Sequence, residues 1–122
     1  MKLKHLFYLN GVLLILAALA FLITPASMLG PYHITTPESG VLDLARNSGG
    51  LFLFIGLAAW FGARSEDSSL RRNIRLSFFI MNLVMAVAHF VGFLSGGSLN
   101  GVIVHGILTL VYGYFQFIKP DA

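Results

Sequence analysis

The chain has 122 residues and a formal net charge of +3; 57% of the residues are hydrophobic and 11% are charged, whereas a soluble domain carries about a quarter charged residues. This composition excludes an ordinary water-soluble domain, because the chain has too little charge to cover a surface in water. The absence of cysteine excludes disulfide exchange, thiolate nucleophiles and cysteine metal sites.

Four continuously apolar runs follow one another along the chain, each close to the ~20 residues that span a ~30 Å hydrocarbon core. They predict transmembrane helices over residues 5–23, 38–63, 74–95 and 99–118. Helices are expected rather than the strands of a barrel, because the runs show no alternation of apolar and polar residues. The predicted fold class is therefore all-α, a four-transmembrane-helix up-down bundle that forms one domain over residues 1–122.

The first helix is expected to end before Thr24 and Pro25, because proline disfavours a helical conformation in the residue before it. Its apolar run is longer than that of a typical signal peptide and no clean cleavage site follows, so we expect the helix to be retained. An outer loop over residues 26–36 comes next. The sequence Thr-Thr-Pro-Glu at residues 35–38 then predicts the start of the second helix, with a threonine cap, a first-turn proline and an acid near the helix N-terminus.

A short charged inner loop, residues 64–73, joins the second helix to the third, whose expected cap is Ser65 or Asp67. A turn rich in glycine and serine, residues 95–101, makes the third and fourth helices an antiparallel hairpin. Small residues at helical spacing are expected to let neighbouring helices approach closely. They are Gly49 and Gly56 in the second helix, Ala88, Gly92 and Gly96 in the third, and Gly106 and Gly113 in the fourth.

The cations lie almost entirely on one side of the predicted spans, and only Arg46 falls on the other side. By the positive-inside rule, the basic side is cytoplasmic, and both chain termini lie there. A basic loop of this kind favours contact with anionic lipid headgroups, so the lipid bilayer is the expected partner and nucleic acid is not. The seven cations on this side are Lys2, Lys4, Arg64, Arg71, Arg72, Arg75 and Lys119.

Polar residues within the spans are candidates for function, because the membrane tolerates few of them. Arg46 would cost about 2.5–3.5 kcal/mol at the bilayer centre, and Asp43 lies three residues earlier, at a spacing that permits pairing. His89 and His105 are both expected roughly 6–9 Å below the outer surface, counting about 1.5 Å per residue from the ends of their helices. Two adjacent antiparallel helices would bring the two imidazoles together.

The fourth helix carries a polar stripe at i, i+4, i+7 and i+11, formed by His105, Thr109, Tyr112 and Gln116. On the third helix, Asn82 shares a face with His89 and is expected to form a hydrogen bond between helices. We predict a ligand-binding cluster in the outer half of the membrane, and the alternative is a buried network that only holds the helices in register. The predicted members are Asp43, Arg46, Asn47, His89, His105, Thr109 and Tyr112.

The histidine pair His89 and His105 is also a candidate ligand set for a metal or for b-type haem. No HExxH, Walker or GxSxG motif is present, so no catalytic residue is predicted. The lack of cysteine excludes quinone reduction through a CxxC pair. A proton-coupled exchanger is disfavoured because no Asp or Glu lies in the middle of any span.

The segment Ala-Arg-Asn-Ser-Gly-Gly at residues 45–50, followed by Gly56, resembles the R-x-x-G-G pattern of the DoxX-like group of small four-helix bacterial membrane proteins. The likeness is closest to an uncharacterised family of that group and covers most of residues 42–117. Relatives often carry arginine near His89 and an acid near His105, whereas this chain has histidine at both positions. Some members are subunits of quinone-linked or other membrane redox systems, so the resemblance implies a bacterial cytoplasmic membrane and a possible redox partner complex.

The leading functional hypothesis is a small, non-catalytic membrane protein. It would bind a lipid or hydrophobic small molecule, or act as an accessory subunit of a larger membrane complex or homo-oligomer. The alternatives are a redox subunit or a quinone-linked enzyme component that uses His89 and His105 to hold haem, a metal or a quinone, and a small-molecule transporter.

Overall fold

The computed structural model of the chain describes residues 3–119, and every regular element within them is helical. Four helices are long and apolar enough to cross a membrane, which confirms the predicted all-α class with four spans. The chain is a multi-pass integral membrane protein. In chain order the helices are α1 (Leu3–Ile23), α2 (Pro25–Leu29), α3 (Ser39–Arg64), α4 (Ser68–Leu94) and α5 (Asn100–Gly113), with a 3₁₀ turn at Gly30–Tyr32 and a π-helical segment at Tyr114–Ile118 that continues α5.

α4 begins at Ser68, directly after the predicted cap Asp67 and six residues before the predicted start of its apolar span at residue 74. Hydropathy marks the point where a chain enters the hydrocarbon layer, whereas a helix begins where its first N–H groups find acceptors. The first two turns of α4 carry arginines that suit the headgroup layer and do not interrupt the helix. The other three spans agree with the predicted bounds to within two residues.

Asp67 caps α4, as predicted. Its carboxylate Oδ1 accepts hydrogen bonds from the backbone N–H groups of Ser69 at 2.8 Å and Leu70 at 3.1 Å, and from the Ser69 hydroxyl at 2.8 Å. These hydrogen bonds lower the pKa of Asp67 below its ordinary value. The bond from the Leu70 N–H has the largest effect, and the bond from the Ser69 hydroxyl comes second. The carboxylate form is favoured because every one of these bonds is made to it.

The predicted outer loop over residues 26–36 contains two short helical pieces, which the sequence did not predict. Pro25 and Leu29 are buried and attach α2 to the long helices of its unit. His33 ends the 3₁₀ turn in the left-handed conformation, with φ 63°, and its N–H bonds to the Gly30 carbonyl at 2.9 Å. The chain thereby reverses direction and leads to α3.

The helices divide into two compact units, the first ending at Arg64 and the second beginning at Ser65. Each unit is built around one antiparallel pair of long helices, α1 with α3 and α4 with α5. The predicted single domain over residues 1–122 stays a prediction.

The first unit is held together by close approach of two backbones. A Cβ atom at Gly11 of α1 would lie 3.0 Å from the Gly56 carbonyl oxygen of α3, and a Cβ at Gly56 would lie 3.1 Å from the Gly11 carbonyl oxygen. A Cβ atom at Gly49 would lie 3.0 Å from the Ala18 carbonyl oxygen, nearer the C-terminal end of α1. The predicted packing role of Gly49 and Gly56 is thus confirmed. Two aromatic pairs also join these helices, Tyr8 with Trp60 and Phe21 with Phe52.

The second unit is joined by large and polar side chains instead. Phe78 of α4 stacks on the fully buried Tyr112 of α5, with ring centroids 5.3 Å apart and planes 16° from parallel. A Cβ atom built on Gly113 would lie 3.1 Å from the Phe79 ring, so the glycine lets this ring pack against α5. Gly92 and Gly106 do not play the packing role predicted for them, because a Cβ on either would meet no atom within 4 Å.

Candidate functional site

A line of polar side chains follows the contact between α4 and α5, and we name it the polar seam. Its α4 members are Arg75, Asn82 and His89, which are seven residues apart and therefore share one helix face. Its other members form the predicted polar stripe on α5 and on the π-helical segment that continues it. This stripe faces α4, because Gln116 bonds to Arg75 and His105 contacts Asn82. The seam consists of Arg75, Asn82, His89, His105, Thr109, Tyr112 and Gln116.

Arg75 lies at the predicted cytoplasmic end of the seam. It belongs to the second turn of α4, and its side chain is only 3% exposed. Its Nε donates a hydrogen bond to Oε1 of Gln116 in the π-helical segment at 2.7 Å. The seven-residue spacing from Asn82 and His89 is the sequence signal that would have placed Arg75 on the buried face.

Asn82 occupies the middle of the seam and is 1% exposed. Its Nδ2 donates to the Phe78 carbonyl oxygen at 2.8 Å, and its Oδ1 lies 2.9 Å from Nδ1 of His105. The predicted hydrogen bond between helices at Asn82 is confirmed, and its partner is His105. This contact fixes the rotation of the His105 ring about its side-chain bonds.

The imidazoles of His89 and His105 lie together, as predicted from their equal depth. Their ring centroids are 5.3 Å apart and their planes are within 10° of parallel. Gly101 at the start of α5 makes room for this arrangement, because a Cβ there would overlap the His89 ring. His105 contacts Asn82, whereas neither ring nitrogen of His89 has a hydrogen-bond partner within residues 3–119. A hydrogen-bond network shared by the two imidazoles stays a prediction.

The remaining predicted members on α5 are engaged with the protein. The Thr109 hydroxyl donates to the His105 carbonyl oxygen at 2.7 Å. Tyr112 is fully buried against Phe78. Both residues therefore support the seam from within, and contact of either with a ligand stays a prediction.

The other part of the predicted cluster lies at the N-terminal end of α3, in the first unit. Arg46 NH1 lies 3.1 Å from Asp43 Oδ1, which confirms the predicted ion pair. The two side chains are 48% and 72% exposed, so the pair contributes at most about 1 kcal/mol in water. Asn47 is exposed as well. Convergence of these three residues with the histidines stays a prediction.

Within residues 3–119 no three or more His, Asp or Glu side chains are grouped so as to hold a metal ion. Binding of a metal or haem by His89 and His105 stays a prediction. Comparisons with protein-family models, with curated proteins and with solved structures returned no match. The likeness to the DoxX-like group therefore rests on the motif residues alone.

Proposed function

We propose that this chain is a small, non-catalytic protein of the bacterial cytoplasmic membrane that binds a lipid or lipid-like amphiphile. The polar group of the amphiphile contacts His89 and His105 in the predicted outer half of the membrane. The observation that carries the proposal is His89, a half-buried imidazole on a membrane-length helix whose ring nitrogens have no hydrogen-bond partner among the described residues.

An imidazole N–H in a membrane needs an acceptor, because lipid tails offer none. Leaving such a group unpaired costs about 1–3 kcal/mol. The nearest polar ring, His105, is already bonded to Asn82 through Nδ1. The partner that His89 lacks is therefore supplied by a molecule from outside the described residues.

The surroundings of the pair fit an amphiphile. Phe90, next to His89, is 49% exposed, and Val104, next to His105, is 52% exposed. Apolar side chains exposed on membrane-length helices are in contact with hydrocarbon. An acyl chain can lie against them while its polar end reaches the imidazoles.

The side chains that α4 and α5 place around the two histidines favour ligand binding over catalysis. Residues 68–119 contain no Asp or Glu, so α4 and α5 supply no carboxylate to orient or activate an imidazole as a general base. The hydroxyl closest along the stripe, that of Thr109, is committed to a backbone carbonyl.

Native mass spectrometry of the protein extracted in a mild detergent tests the proposal. We expect a bound amphiphile on the wild type and on His5→Phe, a matched change at an exposed histidine of α1. We expect its loss in His89→Phe, with helix content by circular dichroism as the folding control. Equal occupancy in His89→Phe, or no bound amphiphile in the wild type, would refute the proposal.

Asp43, Arg46 and Asn47 lie in the first unit, and we propose them separately as a candidate site for a lipid headgroup. An exposed arginine at the hydrocarbon boundary attracts lipid phosphate. Arg46→Gln should then weaken binding of a phospholipid but not of an amphiphile without phosphate. An equal effect of the substitution on both would remove these residues from the site.

A further inference from the structure

The orientation of the Asn82 amide is determined by its neighbours. The Phe78 carbonyl oxygen can only accept a hydrogen bond, so the Asn82 atom 2.8 Å from it is the donor Nδ2. The other end of the amide, the acceptor Oδ1, then faces Nδ1 of His105 at 2.9 Å. A flipped amide would set a carbonyl oxygen against a carbonyl oxygen, which is repulsive.

This orientation determines the tautomer of His105. Because Oδ1 is only an acceptor, the proton of the imidazole lies on Nδ1, and Nε2 carries the lone pair. α4 and α5 carry no acidic residue that would hold a charged imidazolium. The neutral ring therefore presents Nε2 as a hydrogen-bond acceptor.

His89 has no such constraint. Neither of its ring nitrogens is bonded within residues 3–119, so the ring can adopt whichever tautomer a ligand requires. The pair therefore offers one fixed acceptor, Nε2 of His105, beside one adaptable group. A hydroxyl satisfies both at once, because it donates to the acceptor and accepts an N–H from His89.

We infer that the polar group bound by His89 and His105 is a hydroxyl, so that the ligand is a neutral amphiphilic alcohol rather than an ester, a ketone or an ether. The inference rests on the proposed function and specifies its ligand class. A carbonyl or ether oxygen can accept the N–H of His89 but has no proton to donate, so it would leave the acceptor Nε2 of His105 without a partner.

The tautomer itself is measured by ¹⁵N NMR of the full chain labelled at histidine, with His105 assigned from the spectrum of His105→Gln. We expect His105 Nδ1 protonated and Nε2 unprotonated in the wild type. Protonation at Nε2 alone, or at both nitrogens at neutral pH, would overturn the inference whatever the protein binds.

The ligand class is measured with two matched probes, 1-dodecanol and dodecyl methyl ether, each titrated into the protein in bilayer discs. We expect the alcohol to bind about tenfold more tightly than the ether, since one hydrogen bond to a partly buried acceptor distinguishes them. Equal binding of both, with loss of both in His89→Phe, would overturn the hydroxyl assignment and leave the proposed function intact. Binding of neither by the wild type would overturn the inference, and native mass spectrometry would decide the proposed function separately.

Asn82 is a positioning residue in this scheme. Asn82→Leu frees the His105 tautomer, so the preference for the alcohol over the ether should disappear. Asn82→Asp places a carboxylate beside His105 Nδ1 and favours the doubly protonated ring, so Nε2 is no longer an acceptor and the preference should disappear in this variant as well. A preference unchanged in a folded Asn82→Leu protein would contradict the assigned role, and the two wild-type measurements stand if that variant does not fold.

Discussion

Replacing Gly49 by alanine should weaken the first unit, whereas the same change at Gly50 should not. A Cβ at Gly49 would lie 3.0 Å from three atoms of α1, namely the carbonyl oxygen of Ala18, Cβ of Phe21 and Cγ of Leu22. One of these atoms belongs to the backbone, so the two helices must move apart. A Cβ at Gly50 would meet nothing within 4 Å.

The magnitude follows from two opposing effects. Forcing a methyl group into a well-packed contact costs about 1–3 kcal/mol. Alanine in a helix interior gains up to about 1 kcal/mol over glycine, and this gain is common to both positions. The free energy of unfolding should therefore be lower for Gly49→Ala than for Gly50→Ala by about 1–3 kcal/mol, with Gly50→Ala equal to or above the wild type.

The measurement is reversible unfolding of the full chain from detergent micelles into SDS, followed by circular dichroism of the helices. Because the two glycines are neighbours in one helix, propensity and expression effects are matched. Equal free energies of unfolding for the two variants would show that the approach of α1 and α3 at Gly49 does not contribute to stability, and the account of the first unit would be wrong.

Three further results are expected. Gln116→Leu should lower the free energy of unfolding by about 1.5–3 kcal/mol, because buried Arg75 loses an acceptor; Gln116→Glu should retain stability, and an equal loss in both would contradict this. Because the folded-state pKa of Asp67 is lowered, Asp67 should stabilise the fold above about pH 4 and lose this effect as the pH falls through the folded-state pKa. The melting temperatures of the wild type and Asp67→Asn should therefore differ at pH 7 and converge in acid. A difference that stays the same at every pH would show that the charge of Asp67 does not stabilise the fold. Single cysteines at Ser68 and Ser98 should be labelled from opposite faces by an impermeant reagent, and labelling from one face would overturn the topology.

Hydropathy was sufficient to predict the four helices because a bilayer leaves a spanning chain few alternatives. A backbone in hydrocarbon must pair its own polar groups, so a continuous apolar run is already a helix prediction. The cap at Asp67 was equally local, since it depends on residues two and three positions away. This cap also marks the start of α4, which lies six residues before its apolar run.

The candidate site was predicted only in part. The prediction that His89 and His105 lie together combined their equal depth, counted along each helix, with the antiparallel hairpin of their two helices and the polar stripe that carries His105. The burial of Arg75 was not predicted, because its place beside a charged loop suggested contact with headgroups. Its seven-residue spacing from Asn82 and His89 nevertheless puts it on their face of α4. The Asn82 contact with His105 depends on how far α4 and α5 are displaced along their axes, which composition does not encode.

The sequence by itself determined the class of protein, the number and place of its spans, and the residues that a membrane would tolerate only for a reason. Each of these depends on single side chains and their neighbours along the chain. Only the packing of the helices decides which glycines approach a neighbouring backbone, which arginine is buried and which side chain Nδ1 of His105 contacts. Those properties depend on the rotation of each helix about its axis and on the register between helices, and both are set only when all side chains of a unit pack at once.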